Sequence, residues 1–129
     1  MCRVFIGADP SLWESTTRSF RMDGMVTSVR LEAMFWNALE DIASRQDLNM
    51  PQLLHQLYNE SIDEGHDLGN FTSFLRVCCM RFLDLQLTGL LPTDTTTDFE
   101  ALPAEDLLTR ERAFRAKAAT HRAVHSKQH

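Results

Sequence analysis

The chain has 129 residues, 43% of them apolar, with only five Gly and four Pro, which suits one compact domain with a tail. It contains no apolar run of the roughly 18 residues that a membrane-spanning helix needs. The net charge of −5 argues against a polyanionic partner only if the charge is spread evenly, and it is not. Residues 1–31 carry four Arg against three acids, residues 32–109 three Arg against fourteen, and residues 110–129 six Lys/Arg against Glu111. The opening MCRVFIGADPSLW has neither the apolar core nor the small-residue cleavage site of a signal peptide, so a cytoplasmic protein is expected.

Residues 1–17 read as an N-terminal extension. Within it Val4, Phe5 and Ile6 suit a short strand, Asp9-Pro10 marks a turn, and Trp13 is available to pack on the body. Residues 17–31 predict a β-hairpin, because Asp23-Gly24 is a dipeptide that tolerates positive φ at both central positions of a two-residue turn. With the turn there, Met22 faces Met25, Phe20 faces Thr27 and Ser19 faces Ser28. One face then collects Phe20, Met22, Met25, Thr27, Val29 and Leu31; the other collects Thr17, Ser19, Arg21, Val26, Ser28 and Arg30. Arg18 falls on the apolar side, where its guanidinium has to reach outward.

A first helix follows over roughly 32–45, with Phe35, Ala38, Leu39 and Ile42 as its apolar stripe, Trp36 and Ala43 at the edge, and Glu32 suited to its N-terminus. Asn49 is the expected N-cap of a second helix over 50–63, in which Met50, Leu53, Leu54, Leu57 and Tyr58 recur at helical spacing. A third, over 71–87, opens at Asn70 and buries Phe71, Phe74, Leu75, Cys78, Phe82 and Leu85. Residues 92–103 form a polar linker, and residues 104–129 a helical, basic C-terminal tail with Pro103 at its entry.

Three cysteines fit a reducing compartment, and adjacent Cys78 and Cys79 point in different directions on a helix, so they read as reduced core thiols. His121, His125 and His129 recur every four residues, a spacing that can share a metal, but no carboxylate or thiol lies in step with them; they read as a solvated tail. His55 and His66 have no partner at ligand spacing. No catalytic triad order, phosphate-binding glycine loop or carboxylate pair is present, so no enzymatic activity, cofactor or metal is expected.

The segment Arg18-Ser19-Phe20-Arg21-Met22-Asp23-Gly24, then Thr27-Ser28-Val29-Arg30-Leu31-Glu32, Phe35-Trp36, Leu39-Glu40 and Ile42-Ala43, with Ser73-Phe74-Leu75-Arg76-Val77 further on, resembles a bacterial subgroup of the ribbon-helix-helix family of Arc- and MetJ-type repressors. The resemblance covers roughly residues 18–88. It implies a mainly α fold with a short β-ribbon: a ribbon-helix-helix domain over 18–91 that forms a dimer, plus an extra helix and the C-terminal helical tail. It also implies a homodimer whose ribbon enters the major groove of double-stranded DNA.

By position Val26, Ser28 and Arg30 match the family's base-facing residues. A guanidinium at Arg30 suits guanine O6 and N7 together, Ser28 donates or accepts, and Val26 can touch only a thymine methyl. Asn49 and Met50, at the start of the second helix, match the family's phosphate clamp, and Arg21 on the added strand is placed for a backbone contact. Where the family often has a glycine before that cap, Asp47 stands, an unfavourable charge beside a phosphate. A transcriptional regulator is the expected function. The alternative is a protein-interaction module, antitoxin-like or an adaptor, that uses the acidic helices and takes a protein partner through the tail.

Overall fold

The computed structural model describes residues 2–65 and 68–127, the side chains of Leu68 and Lys127 excepted; His66 and His129 lie outside them. In chain order the elements are α1 (Cys2–Ile6), β1 (Ser15–Met22), β2 (Met25–Glu32), α2 (Ala33–Arg45), α3 (Met50–Asp63), α4 (Phe71–Leu87) and α5 (Ala104–Lys127), with 3-10 turns at Pro10–Trp13, Leu68–Asn70 and Phe99–Ala101. The chain divides into two compact units, Met1–Phe82 and Leu83–His129.

In the first unit the hairpin forms as expected. Asp23 and Gly24 take φ of 50° and 78°, a turn whose twist matches the strands it joins. The register follows from it: Met22 pairs with Met25, Phe20 with Thr27, Ser19 with Ser28 and Thr17 with Arg30. Phe20, Met22, Val29 and Leu31 are buried, and every residue on the opposite face is exposed. Met25 departs from the expectation: it lies next to the turn and stays 73% exposed, because the body covers Met22 but not its cross-strand neighbour. A Cβ at Gly24 meets nothing within 4 Å, so Gly24→Ala tests backbone conformation alone. It is expected to lower stability by about 1–2 kcal/mol in urea unfolding; an unchanged midpoint means the turn is not held in this form.

Helix α2 turns a slightly different face inward from the one its periodicity suggests. Trp36 is buried and Phe35 only half so. The indole explains this: its Nε1 donates to the Thr16 carbonyl at 3.0 Å, its ring lies 6.1 Å from that of Phe20, and Arg18 stretches over it at 4.6 Å. Arg18 then reaches Glu40 at 3.1 Å, which is how a cation on the apolar side of the ribbon is accommodated. Leu39, Leu53, Leu54 and Leu75 complete the centre of the core. Helix α4 is tied to the start of α2 by a two-pronged pair: Arg76 Nε and Nη2 donate to the Glu32 carboxylate at 3.2 and 3.0 Å. That pair holds the Glu32 carboxyl below its usual range. The stabilisation it brings is present above the ordinary carboxylate pKa and is lost as the solution is acidified through the lowered one.

Cys79 rather than Cys78 is the fully buried thiol, and its Sγ donates to the Phe35 carbonyl at 3.6 Å. All three cysteines are free. Burial pushes the Cys78 thiol up to about 11 and the Cys79 thiol up to about 12, so both are protonated and unreactive at neutral pH.

The N-terminus corrects the sequence reading. Residues 2–6 form a short helical turn instead of a strand, with Val4, Phe5 and Ile6 exposed, since neither edge of the two-stranded sheet takes them up. Trp13 is more than half exposed, and with Val4, Phe5, Leu12 and Met34 it lines a shallow apolar groove of about 450 Å³.

In the second unit, Gly89 at φ 79° and the Leu91 N–H donating to the Leu85 carbonyl close the end of α4. Residues 92–103 make local turns: Asp94 accepts from Thr96, and Asp98 caps the 3-10 turn by accepting from the Glu100 N–H. Arg115 on α5 joins Asp84 at 3.0 Å and Glu111 at 2.8 Å. No described helix is long and apolar enough to cross a membrane, and no described group of His, Cys, Asp and Glu has the arrangement of a metal site. His121 and His125 stack with ring centres 6.5 Å apart.

Candidate nucleic-acid interface

The outward face of the hairpin is built from alternate residues of two strands, since successive side chains on a strand point to opposite sides. It carries Thr17, Ser19 and Arg21 from β1 and Val26, Ser28 and Arg30 from β2, all exposed. The face is cationic and hydroxyl-bearing along its length; at the end of β2 the Glu32 carboxylate comes into step with Arg30, half-buried and bonded by Arg76. Arg18, the third arginine of the hairpin, is on the other side and engaged with Glu40.

The cross-strand pairs organise this face. Arg30 Nη1 donates to Thr17 Oγ1 at 3.4 Å, a long bond that steers the guanidinium without holding it. The Ser19 and Ser28 hydroxyls lie 3.2 Å apart and share a hydrogen bond. Arg21 sits opposite Val26. Thr17 and Ser19 are the residues that reading single positions overlooks; the signal for them was the turn, because the register it sets makes them the partners of Arg30 and Ser28.

The second cluster, Asn49 and Met50, opens α3. Asn49 Oδ1 accepts from the Gln52 N–H at 2.9 Å, and Gln52 Oε1 accepts from the Asn49 N–H at 2.9 Å, a reciprocal capping box. Pro51 has no N–H. The Met50 N–H is therefore the first-turn donor left for an external anion, while the Met50 side chain is buried in the core.

Immediately before this cap, Asp47 takes φ 58°, and the Leu48 and Asp47 N–H groups bond back to Ala43 and Ser44. That is the glycine-favoured left-handed ending of a helix, here filled by one of the few other residues that tolerate it. Its carboxylate stands two residues from the cap. Replacing Asp47 by Asn keeps the tolerance for positive φ and removes the charge. If the start of α3 meets phosphate, Asp47→Asn is expected to tighten duplex binding two- to threefold, about 0.5 kcal/mol, with no change in melting temperature. Equal affinity of the two proteins at low salt would remove α3 from the interface.

A family model described as a ribbon-helix-helix domain matches residues 15–83, just over half of the chain. Among solved structures the chain is similar to an uncharacterized protein from Bordetella pertussis Tohama I, at 44% sequence identity and a TM-score of 0.78, over 84% of this chain and 86% of that one. No curated protein matches it.

Proposed function

The chain belongs to the ribbon-helix-helix domain family, a family of DNA-binding regulators, and from that premise we propose that it is a homodimeric, sequence-specific transcriptional regulator. The observation that carries this reading is the two-sidedness of the hairpin: an apolar face sealed on the helices, and a fully exposed face bearing Arg21, Ser28 and Arg30.

Among the described residues the sheet has two strands, and none lies beside the outer edge of β2. Its unpaired backbone groups suit antiparallel pairing with the same strand of a second copy. The resulting sheet has four strands, with the two β2 strands at its centre. At about 4.8 Å between neighbours, the outermost strands lie about 14 Å apart, more than the roughly 12 Å width of the major groove.

Only the central pair then enters the groove, and the two β1 strands come to rest against its phosphate walls. This division gives Val26, Ser28 and Arg30 the base edges and Arg21 the backbone. Met50, through its N–H, and Asn49, by shaping that cap, add a phosphate contact from α3. Two-fold symmetry of the protein calls for a pseudo-palindromic site. Selection from a randomised duplex pool, at a stated salt concentration, is expected to enrich such a site. A pool left unenriched, or a protein that sediments as a monomer at micromolar concentration, overturns the reading.

A further inference from the structure

Helix α5 has almost no covered face over its basic stretch. From Arg112 to Ser126 every side chain except that of Ala118 is exposed. The acids Glu105 and Asp106 lie in its first turn; Glu111 is buried and bonded by Arg115, and no carboxylate follows it in the helix. The charge presented to solvent along residues 110–126 is therefore cationic. Arg110, Lys117 and Arg122 have no ion-pair partner among the described residues.

The helical repeat brings Arg110, Lys117 and His121 onto one side, with His125 a turn further, while Arg122 stands on the flank, about 120° round the helix from Arg110. From Arg110 to His125 this line is about 22 Å long at 1.5 Å per residue. Over the same length a duplex presents on the order of a dozen phosphates.

We propose that this exposed basic side of α5, with Arg122 on its flank, is a second nucleic-acid contact, one that takes the sugar–phosphate backbone of duplex DNA without reading sequence. It rests on the DNA-binding reading of the ribbon only for the identity of the polyanion; the residues all lie in the second compact unit, and the contact needs no particular placement relative to the ribbon. A lipid surface is the poorer fit. An interfacial helix sets its cations against a wide apolar face, whereas α5 beyond Leu108 offers alanines, Phe114 and Val124, the last two separated on the helix surface by Lys117 and His121.

The test compares the full-length wild type with Arg110→Gln/Lys117→Gln/Arg122→Gln and with Arg30→Ala on a random-sequence duplex across a salt series. Glutamine keeps helix propensity near that of Lys and Arg, so helical content is expected to be unchanged. The triple variant is expected to bind random duplex at least about tenfold more weakly. Its log–log salt dependence should be shallower by up to about 0.9 for each phosphate contact removed, with the preference for a selected site over random sequence retained.

Unchanged affinity and slope overturn the proposal. So does unchanged duplex binding accompanied by lost binding to anionic phospholipid vesicles or to polyglutamate, which would reassign the stripe to a membrane or an acidic protein. If Arg30→Ala leaves sequence preference intact while the triple variant still weakens duplex binding, the ribbon reading fails and the α5 contact stands.

Discussion

Arg30→Ala is expected to abolish sequence discrimination at one base pair of each half-site while leaving the fold intact. The side chain is exposed, and the bond recorded for it is the long one to Thr17 Oγ1, so its removal leaves no buried group unsatisfied. A guanidinium that takes guanine O6 and N7 together contributes about 1–3 kcal/mol of discrimination. A homodimer makes the contact twice, so the loss on a symmetric site is roughly 2–6 kcal/mol where the two add.

Arg30→Lys separates reading from charge, because an ammonium preserves attraction to phosphate but not the planar two-pronged geometry. Titration of the selected duplex and of single-base variants should show Lys close to Ala in discrimination and closer to Arg in non-specific affinity. Full recovery of discrimination by Lys, or equal enrichment of the same site by Ala and wild type, removes Arg30 from the base-reading set.

Leu75→Ala carries the largest expected effect on stability. Leu75 lies in α4 and is fully buried, so truncation loses both transfer energy and packing. The expected cost is about 3 kcal/mol, lowering the melting temperature by more than about 10 °C. Val77, two residues along and exposed, is the control: Val77→Ala is expected to cost under about 0.5 kcal/mol. The comparison asks whether α4 is part of the domain core or an appendage to a ribbon and two helices. A Leu75 variant as stable as the Val77 variant makes it an appendage. The Arg76–Glu32 pair and the Cys79 contact with the Phe35 carbonyl both favour the integral role.

How much of this was legible beforehand depended on whether the determinant was local. Asp23-Gly24 names its own turn, because few residue pairs accept two successive positive φ values, and the strand register follows from the turn by counting. Asn49, as an N-cap, marks the start of α3 for a similar reason, and the observed helix begins at Met50 as expected. Helix α4 was likewise bounded at Phe71 and Leu87 by its own periodicity and flanking glycines.

Long-range contacts decided the rest. Periodicity places an apolar stripe only to within about one residue, so it favoured Phe35 over Trp36 and Cys78 over Cys79. The Thr16 carbonyl that receives the indole N–H belongs to the far side of the hairpin. Glu32 read as a helix-start acid, and its actual partner, Arg76, lies two helices away. The short apolar run at residues 4–6 had no local feature to separate strand from helical turn, and, paired with neither edge of the hairpin, it took the helical form.

The sequence by itself determined the hairpin, its register, the extent of the helices after it and hence which six side chains share the outward face, because turn chemistry, caps and alternation act between neighbours along the chain. Only the tertiary structure decided that Arg21 and Arg30 stay exposed on this face while Arg18 is drawn to Glu40 and Glu32 to Arg76, that Asn49 and Gln52 consume two of the first-turn donors of α3 and leave the Met50 N–H, and that Asp47 occupies a glycine-type conformation beside it. Those facts depend on side-chain rotation and on which distant atoms the packed core brings within hydrogen-bond reach, and neither is encoded in spacing.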